Sequence, residues 1–288
     1  MQRLPLPLLR TWLVLGSATV ALAGCAYAPA TGTPPSPLWT DRLQSLLPAD
    51  VLLLGEQHDA PDHQRLQREA VAWLSSRGQL AAVVMEMAER GHSTRGLPRD
   101  ASEAQAQAAL QWDNAAWPWQ AYGPVVMAAV GAGVPVLGGN LPRARMRAAM
   151  AETAWDRHLP APALAQQYQA LRDGHCGLLP ESQIAPMARI QIARDASMAR
   201  TAQEALRSGQ TVLLVAGGGH VLRHLGVPTH WPANLVSKVV IAQVEHAPAA
   251  IKSGAQADAV VQTPALPPRD VCAELREQWR PAPPGQKV

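Results

Sequence analysis

The sequence predicts an α/β fold: a mostly parallel sheet covered by helices on both faces, with an all-helical cap inserted between the third and fourth strands. Three observations predict it. Short, continuous apolar runs recur along the chain, as strands buried on both faces require. The stretches between them place apolar residues at helical spacing. Two runs end alike, Val51-Leu52-Leu53-Leu54 leading into Gly55-Glu56-Gln57-His58 and Thr211 to Ala216 leading into Gly217-Gly218-Gly219-His220. Each ending delivers an imidazole just past the carboxyl end of a strand, which is where open α/β sheets form their crevice.

The chain opens with Arg3 and Arg10, an apolar run from Trp12 to Leu22, and then Leu22-Ala23-Gly24-Cys25. This order reads as a secretory signal over residues 1–24. Its ending resembles a bacterial lipobox, so Cys25 is the expected site of lipidation, with a palmitate-type acyl anchor holding the chain to the membrane. The apolar run is too short for a confident transmembrane helix. Ala26 rather than Asp follows the cysteine, which by resemblance to sorted lipoproteins points to the outer membrane, on its periplasmic face or at the cell surface. Residues 25–37, rich in Pro, Thr, Ser and Gly, suit a lipidated tether. A single domain is expected over 38–280, and a loose tail over 281–288.

The formal charge of +3 falls to +1 once Arg3 and Arg10 leave with the signal. That removes the electrostatic case for nucleic-acid binding. Cys176 and Cys272 remain, in a compartment that permits disulfides; spacing leaves open whether they are bridged or stay two thiols.

Strands are expected at Val51–Leu54, Leu80–Met85, Val134–Leu137, Thr211–Ala216, Leu235–Val244 and Ala259–Val261. Asp62–Arg77 is helical by the spacing of Leu66, Ala70, Trp73 and Leu74, with Gly78 as its stop. Tyr122–Val130 makes a second crossover helix, ended by Gly131 and Gly133. Arg143–Arg157 and Pro162–Arg172 read as consecutive helices, and Gln183–Arg207 as a longer one interrupted or bent at Pro186. These form the cap, about residues 142–208.

Glu56 and His58 suit metal ligation, or a carboxylate orienting an imidazole for acid or base work. Glu86 ends an apolar run, where a carboxylate is costly to bury alone; it should meet water or a cation, beside His58 if the first two strands are neighbours. Asn140 is expected to cap the helix after Pro142. Arg194-Asp195 forms an ion pair or offers a cation to the site. The triple glycine before His220 lacks the third spaced glycine of a dinucleotide fingerprint and the lysine of a phosphate loop, so it delivers the histidine rather than cradling phosphate. His224 would lie one helical turn further on. His175 beside Cys176 has no second ligand pair for zinc but stands as a candidate axial ligand. Trp112, Trp117, Trp119 and Tyr122 form either core or the wall of a flat aromatic site.

Taken together, Gly55 to His58, Glu86, Trp117 to Pro124, Asn140 to Arg143, His175 to Gly177, Arg194-Asp195 with Met198-Ala199, Gly217 to His220 and Gly226-Val227-Pro228 resemble the ChaN-like haem-binding uptake lipoproteins, relatives of the Tiki proteases and erythromycin esterases. The resemblance runs from about Asp50 to Trp279. It implies haem bound between paired protomers, hence a homodimer, and an outer-membrane haem receptor as partner in iron uptake. Candidates toward haem are His175, Tyr168, Tyr122 and His220 as axial ligands, with Arg194 and Asn140 beside them. For the wider superfamily it implies a hydrolase using His58, His220 and Glu86, with or without a divalent metal on Glu56, His58, Glu86 and His220.

Overall fold

The computed structural model describes residues 37–245 and 256–279. The expected signal, Cys25, the tether up to residue 36 and the tail from 281 lie outside the described residues. In chain order the elements are α1 (Pro37–Leu46), β1 (Val51–Glu56), α2 (Pro61–Ser76), β2 (Leu80–Glu89), α3 (Glu103–Leu110), α4 (Trp119–Ala132), β3 (Val136–Asn140), α5 (Arg143–Ala151), α6 (Ala161–Gly174), α7 (Glu181–Glu204), β4 (Thr211–Gly217), β5 (Ser237–Val244), β6 (Ala259–Thr263) and α8 (Val271–Gln278). Among the described residues no helix is long and apolar enough to cross a membrane.

The strands form one sheet in the order β3-β2-β4-β1-β5-β6, with every pairing parallel. Successive side chains of a strand point to opposite faces, and both faces are apolar here. Leu52, Leu54, Val83, Met85, Leu213 and Val215 pack with Leu66 and Leu74 of α2 and Val125 and Val126 of α4. Val51, Leu53, Val84 and Leu214 pack on the other side with Met198, Ala199 and Ala202 of α7. Two-sided burial is why the strands read as unbroken apolar runs.

Several boundaries differ from the sequence expectation. The first two strands are not neighbours, because β4 lies between them. Strand β2 continues through Glu86 to Glu89 rather than stopping at Met85, and its register against β3 shifts between Met85 and Glu89. The third strand starts at Val136, not Val134, and takes in both glycines and Asn140. Arg143–Arg157 divides into α5 and a 3₁₀ turn at Thr153–Arg157. Helix α7 runs unbroken through Pro186, whose missing N–H costs the one rung to the Ser182 carbonyl. Helix α3 is an element the apolar spacing does not announce, although Ser102 and Gln105 cap it reciprocally.

Cys176 and Cys272 are bridged, with Cα atoms 5.6 Å apart. The bond ties the turn between α6 and α7 to α8, a helix with no buried residue. Burial therefore contributes little to holding α8, and the disulfide is its main attachment.

Gly138 marks the tightest backbone approach in this half of the sheet: a Cβ there would sit 2.0 Å from the Glu89 carbonyl oxygen. Backbone cannot yield as a flexible side chain can, so overpacking at such a point costs at least ~1–3 kcal/mol. Gly138→Ala should lower the unfolding free energy, measured by urea denaturation, by that amount or prevent soluble expression. A variant as stable as the parent would show that the β2–β3 junction is looser than described.

Candidate functional site

The carboxyl ends of β1, β2, β3 and β4 converge on one buried carboxylate. Glu86 is 2% exposed. Its Oε1 accepts from Arg194 NH2 at 2.5 Å and lies 3.5 Å from His220 Nε2; its Oε2 accepts from the Gly217 N–H at 2.7 Å and lies 4.0 Å from His58 Nε2. Glu86 is on β2 and His58 in the turn after β1, two strands that are not neighbours, yet they meet across the end of β4. What permits it is Gly217: a Cβ at that position would stand 3.0 Å from His58 Nε2 and 3.6 Å from Glu86 Oε2.

Each imidazole has its own carboxylate behind it. His58 Nδ1 pairs with Glu56 Oε1 at 2.8 Å, and His220 Nδ1 with Asp195 Oδ1 at 2.6 Å. A carboxylate on Nδ1 fixes the ring and aims Nε2 inward. Glu56 is itself saturated, taking hydrogen bonds from the Tyr122 hydroxyl (2.6 Å), Gln64 Nε2 (2.8 Å) and Gln67 Nε2 (2.5 Å). Gln64 and Gln67, buried on α2, are functional positions that the sequence motifs do not pick out. Their signal is two amides at helix positions that the spacing of α2 assigns to its buried face.

The structure reassigns several residues. Asn140 does not cap α5, whose N-cap is Pro142; its Nδ2 donates to the Glu86 carbonyl and its Oδ1 accepts from Arg194 Nε. Arg194 and Asp195 are not paired with each other but serve Glu86 and His220. All three guanidinium nitrogens of Arg194 are engaged, the last with Gln191 Oε1 at 3.0 Å. Tyr122, 1% exposed, donates its proton to Glu56, and burial together with the Glu56 charge pushes its phenol further up. His224 is not on a helix continuing from His220, since Gly218–Val221 is a 3₁₀ turn; it bonds to Gln256 and Gln166 instead.

Trp112 and Trp119 are core residues, 5.1 Å apart and edge to face. Trp117 is half-buried, its ring 4.8 Å from that of His58, so it alone of the three borders the crevice. The His58 side chain is 40% exposed, against 1% for Glu56 and 13% for His220; the cluster meets solvent along that ring.

His175 and Tyr168 take no part in these hydrogen bonds. His175 Nδ1–H donates to the Leu171 carbonyl at 2.8 Å, and its ring lies 6.1 Å from Trp279. Tyr168 is half-buried against Leu171, Ile184 and Ala188. Among the described residues no group of three or more His, Cys, Asp or Glu is placed to hold a metal ion.

Burial disfavours charge on both imidazoles of the cluster, but it is outweighed. For His58 the hydrogen bond to Glu56 and the charges of Glu86 and Glu56 raise the pKa; for His220 the charges of Asp195 and Glu86 do so. Burial would raise Glu86, and the charges of His220, Arg194 and His58 with the Gly217 N–H instead bring it down to about 2. A raised imidazole contributes stability that is full below its ordinary 6.5 and is lost as pH rises through the folded value. A depressed carboxylate contributes above its ordinary 4.5 and loses it as pH falls toward about 2. The stability difference between the parent and His220→Gln, followed by urea unfolding, should therefore shrink as pH rises through the folded imidazole range. A difference that does not change up to pH 9 would count against a charged His220.

A family model described as "Haem-binding uptake, Tiki superfamily, ChaN" matches residues 42–230. Among solved structures, one of ChaN from Campylobacter jejuni, described as showing cofacial haem binding, is similar at a TM-score of 0.59 and 24% identity, over 77% of this chain and 90% of that one. At that identity it supports the fold. The type III effector HopBA1 (TM-score 0.37, 13% identity, 68% of this chain and 78% of that one) and a Bacillus cereus protein (0.37, 14%, 72% and 69%) are too distant to carry an argument. No curated protein matches significantly.

Proposed function

Since the chain belongs to the ChaN family of haem-binding uptake proteins in the Tiki superfamily, we propose that it binds haem as cargo at the bacterial envelope, anchored through acyl chains on Cys25, and takes part in iron uptake. The family match is the observation that carries this reading. The lipobox-like ending of the first 25 residues supports the anchor, and Ala26 supports the outer membrane. The same reading pairs the chain with a second copy of itself and with an outer-membrane haem receptor, and gives the helices between β3 and β4 the role of a cap.

Haem needs a free nitrogen or oxygen for iron, apolar surface for the ring and cations for two propionates. Apart from the exposed His58 ring, the buried cluster does not offer these. Tyr122, Arg194, Asn140 and Glu56 have committed their polar atoms to each other, and His220 is enclosed between Asp195 and Glu86. Of the axial candidates the sequence suggested, His175 and Tyr168 keep an unengaged ligand atom; Tyr168 is on α6 and His175 is its C-cap. The hydrolase reading is not favoured, because the carboxylates it would use for a metal are already satisfied by Arg194, Gly217, Tyr122 and the two glutamines.

Titrating the purified chain with hemin should give a saturable Soret band distinct from that of free hemin, with an affinity in the micromolar range or tighter. No spectral change at micromolar hemin would end this reading. Cys25→Ser should move the chain expressed in bacteria from the detergent phase to the aqueous phase on Triton X-114 partition; unchanged partition would remove the anchor.

A further inference from the structure

A groove of about 1020 Å³ runs beside β3, walled by α5, α7 and the loop after β2. Its size is at the upper end of small-molecule pockets, about 300–1,000 Å³. Leu137, Ala149 and Ala193 give it an apolar floor, and Trp155 forms part of one end. The lining carries four arginines against two glutamates. One of each is internally satisfied, Arg90 NH2 lying 2.7 Å from Glu204 Oε1. Arg95, Arg145 and Arg200 have no side-chain hydrogen bond or ion pair among the described residues, and of the acids only Glu152 is left to offset them.

A histidine on this wall is also without a partner. Among the described residues the His92 ring makes no hydrogen bond, although its backbone is fixed through the Glu89 carbonyl and the Gly138 N–H. An apolar floor, a cationic rim and a free imidazole are the complement of a flat apolar ring bearing carboxylates at one edge and a metal with an open axial position.

We propose that haem is seated in this groove, with His92 supplying the axial nitrogen and Arg95, Arg145 and Arg200 receiving the propionates; this rests on the haem reading above. Arginine suits that task because its planar fork meets a carboxylate with two parallel hydrogen bonds. The α6 candidates have ligand atoms, but neither lines this groove, and a ligand of this size buries most of its surface in a concavity.

The test is hemin titration of the purified chain and its variants, followed by absorbance and by the shift in melting temperature. His92→Ala and His92→Gln should each weaken binding at least tenfold and lose the ligated Soret position, and added imidazole should restore that position in His92→Gly. Arg145→Glu with Arg200→Glu should weaken binding at least tenfold while leaving the Soret position where it was. His175→Ala and Tyr168→Phe should bind as the parent does. If the parent binds but the His92 and arginine variants do so equally well, or His175→Ala or Tyr168→Phe alone loses the band, the groove assignment is overturned and the haem reading stands. If the parent itself gives no band, both fall.

Discussion

An ionised carboxylate inside the protein is the constraint on which the rest of the structure depends. Moving such a group out of water costs several kcal/mol, and it can stay charged only where cations and N–H donors surround it. The partners of Glu86 come from separate parts of the chain: the donors Arg194 from α7 and Gly217 from β4, with His220 from the 3₁₀ turn after it and His58 from the turn after β1 close enough to pair by charge. Displacing α7 from its face of the sheet, or changing the strand order, would strand the charge. The apolar packing and the charge balance therefore specify the same topology.

The balance itself is even. Glu56, Glu86 and Asp195 face Arg194 and two imidazoles whose pKa values are raised, so three negative groups meet three positive ones when both rings are protonated. Such a network is expensive if half satisfied and specific if complete. Asn140 and Tyr122 complete it: one bridges the β2 backbone to Arg194, and the other closes Glu56. Residues that look like ligands in the sequence turn out to be its hydrogen-bonding frame.

Much of this is legible in the amino-acid sequence. The buried strands announce themselves because two-sided burial leaves no room for polar alternation, and Glu86 and His58 stand out as polar groups where such runs end. What the sequence conceals is order in space. Nothing in the local pattern of β4 says that it inserts between β1 and β2, since that depends on how crossovers pack, and so the role of Gly217 as the gap between His58 and Glu86 is invisible there. The end of β2 is misleading because polar residues normally close a strand, whereas here the charge of Glu86 is offset by partners far along the chain. Asn140 before a proline reads as a cap by local chemistry, and the arginine that claims its oxygen comes 54 residues later. His92 escapes notice because it sits in a polar loop with no apolar run to set it off.

The division between matched and unmatched polar groups separates structure from recognition in this fold. In the cluster at the strand ends nearly every donor and acceptor is satisfied within the chain, and an incoming ligand would have to break bonds already made at close range. Along β3 three guanidinium groups and an imidazole line a groove with no side-chain partner among the described residues. Unpaired arginines on an isolated surface would simply be hydrated, but here they rim an apolar floor on which water gains little. The arrangement suits an amphiphilic anion better than the closed cluster does, and the proposed haem seat rests on that asymmetry.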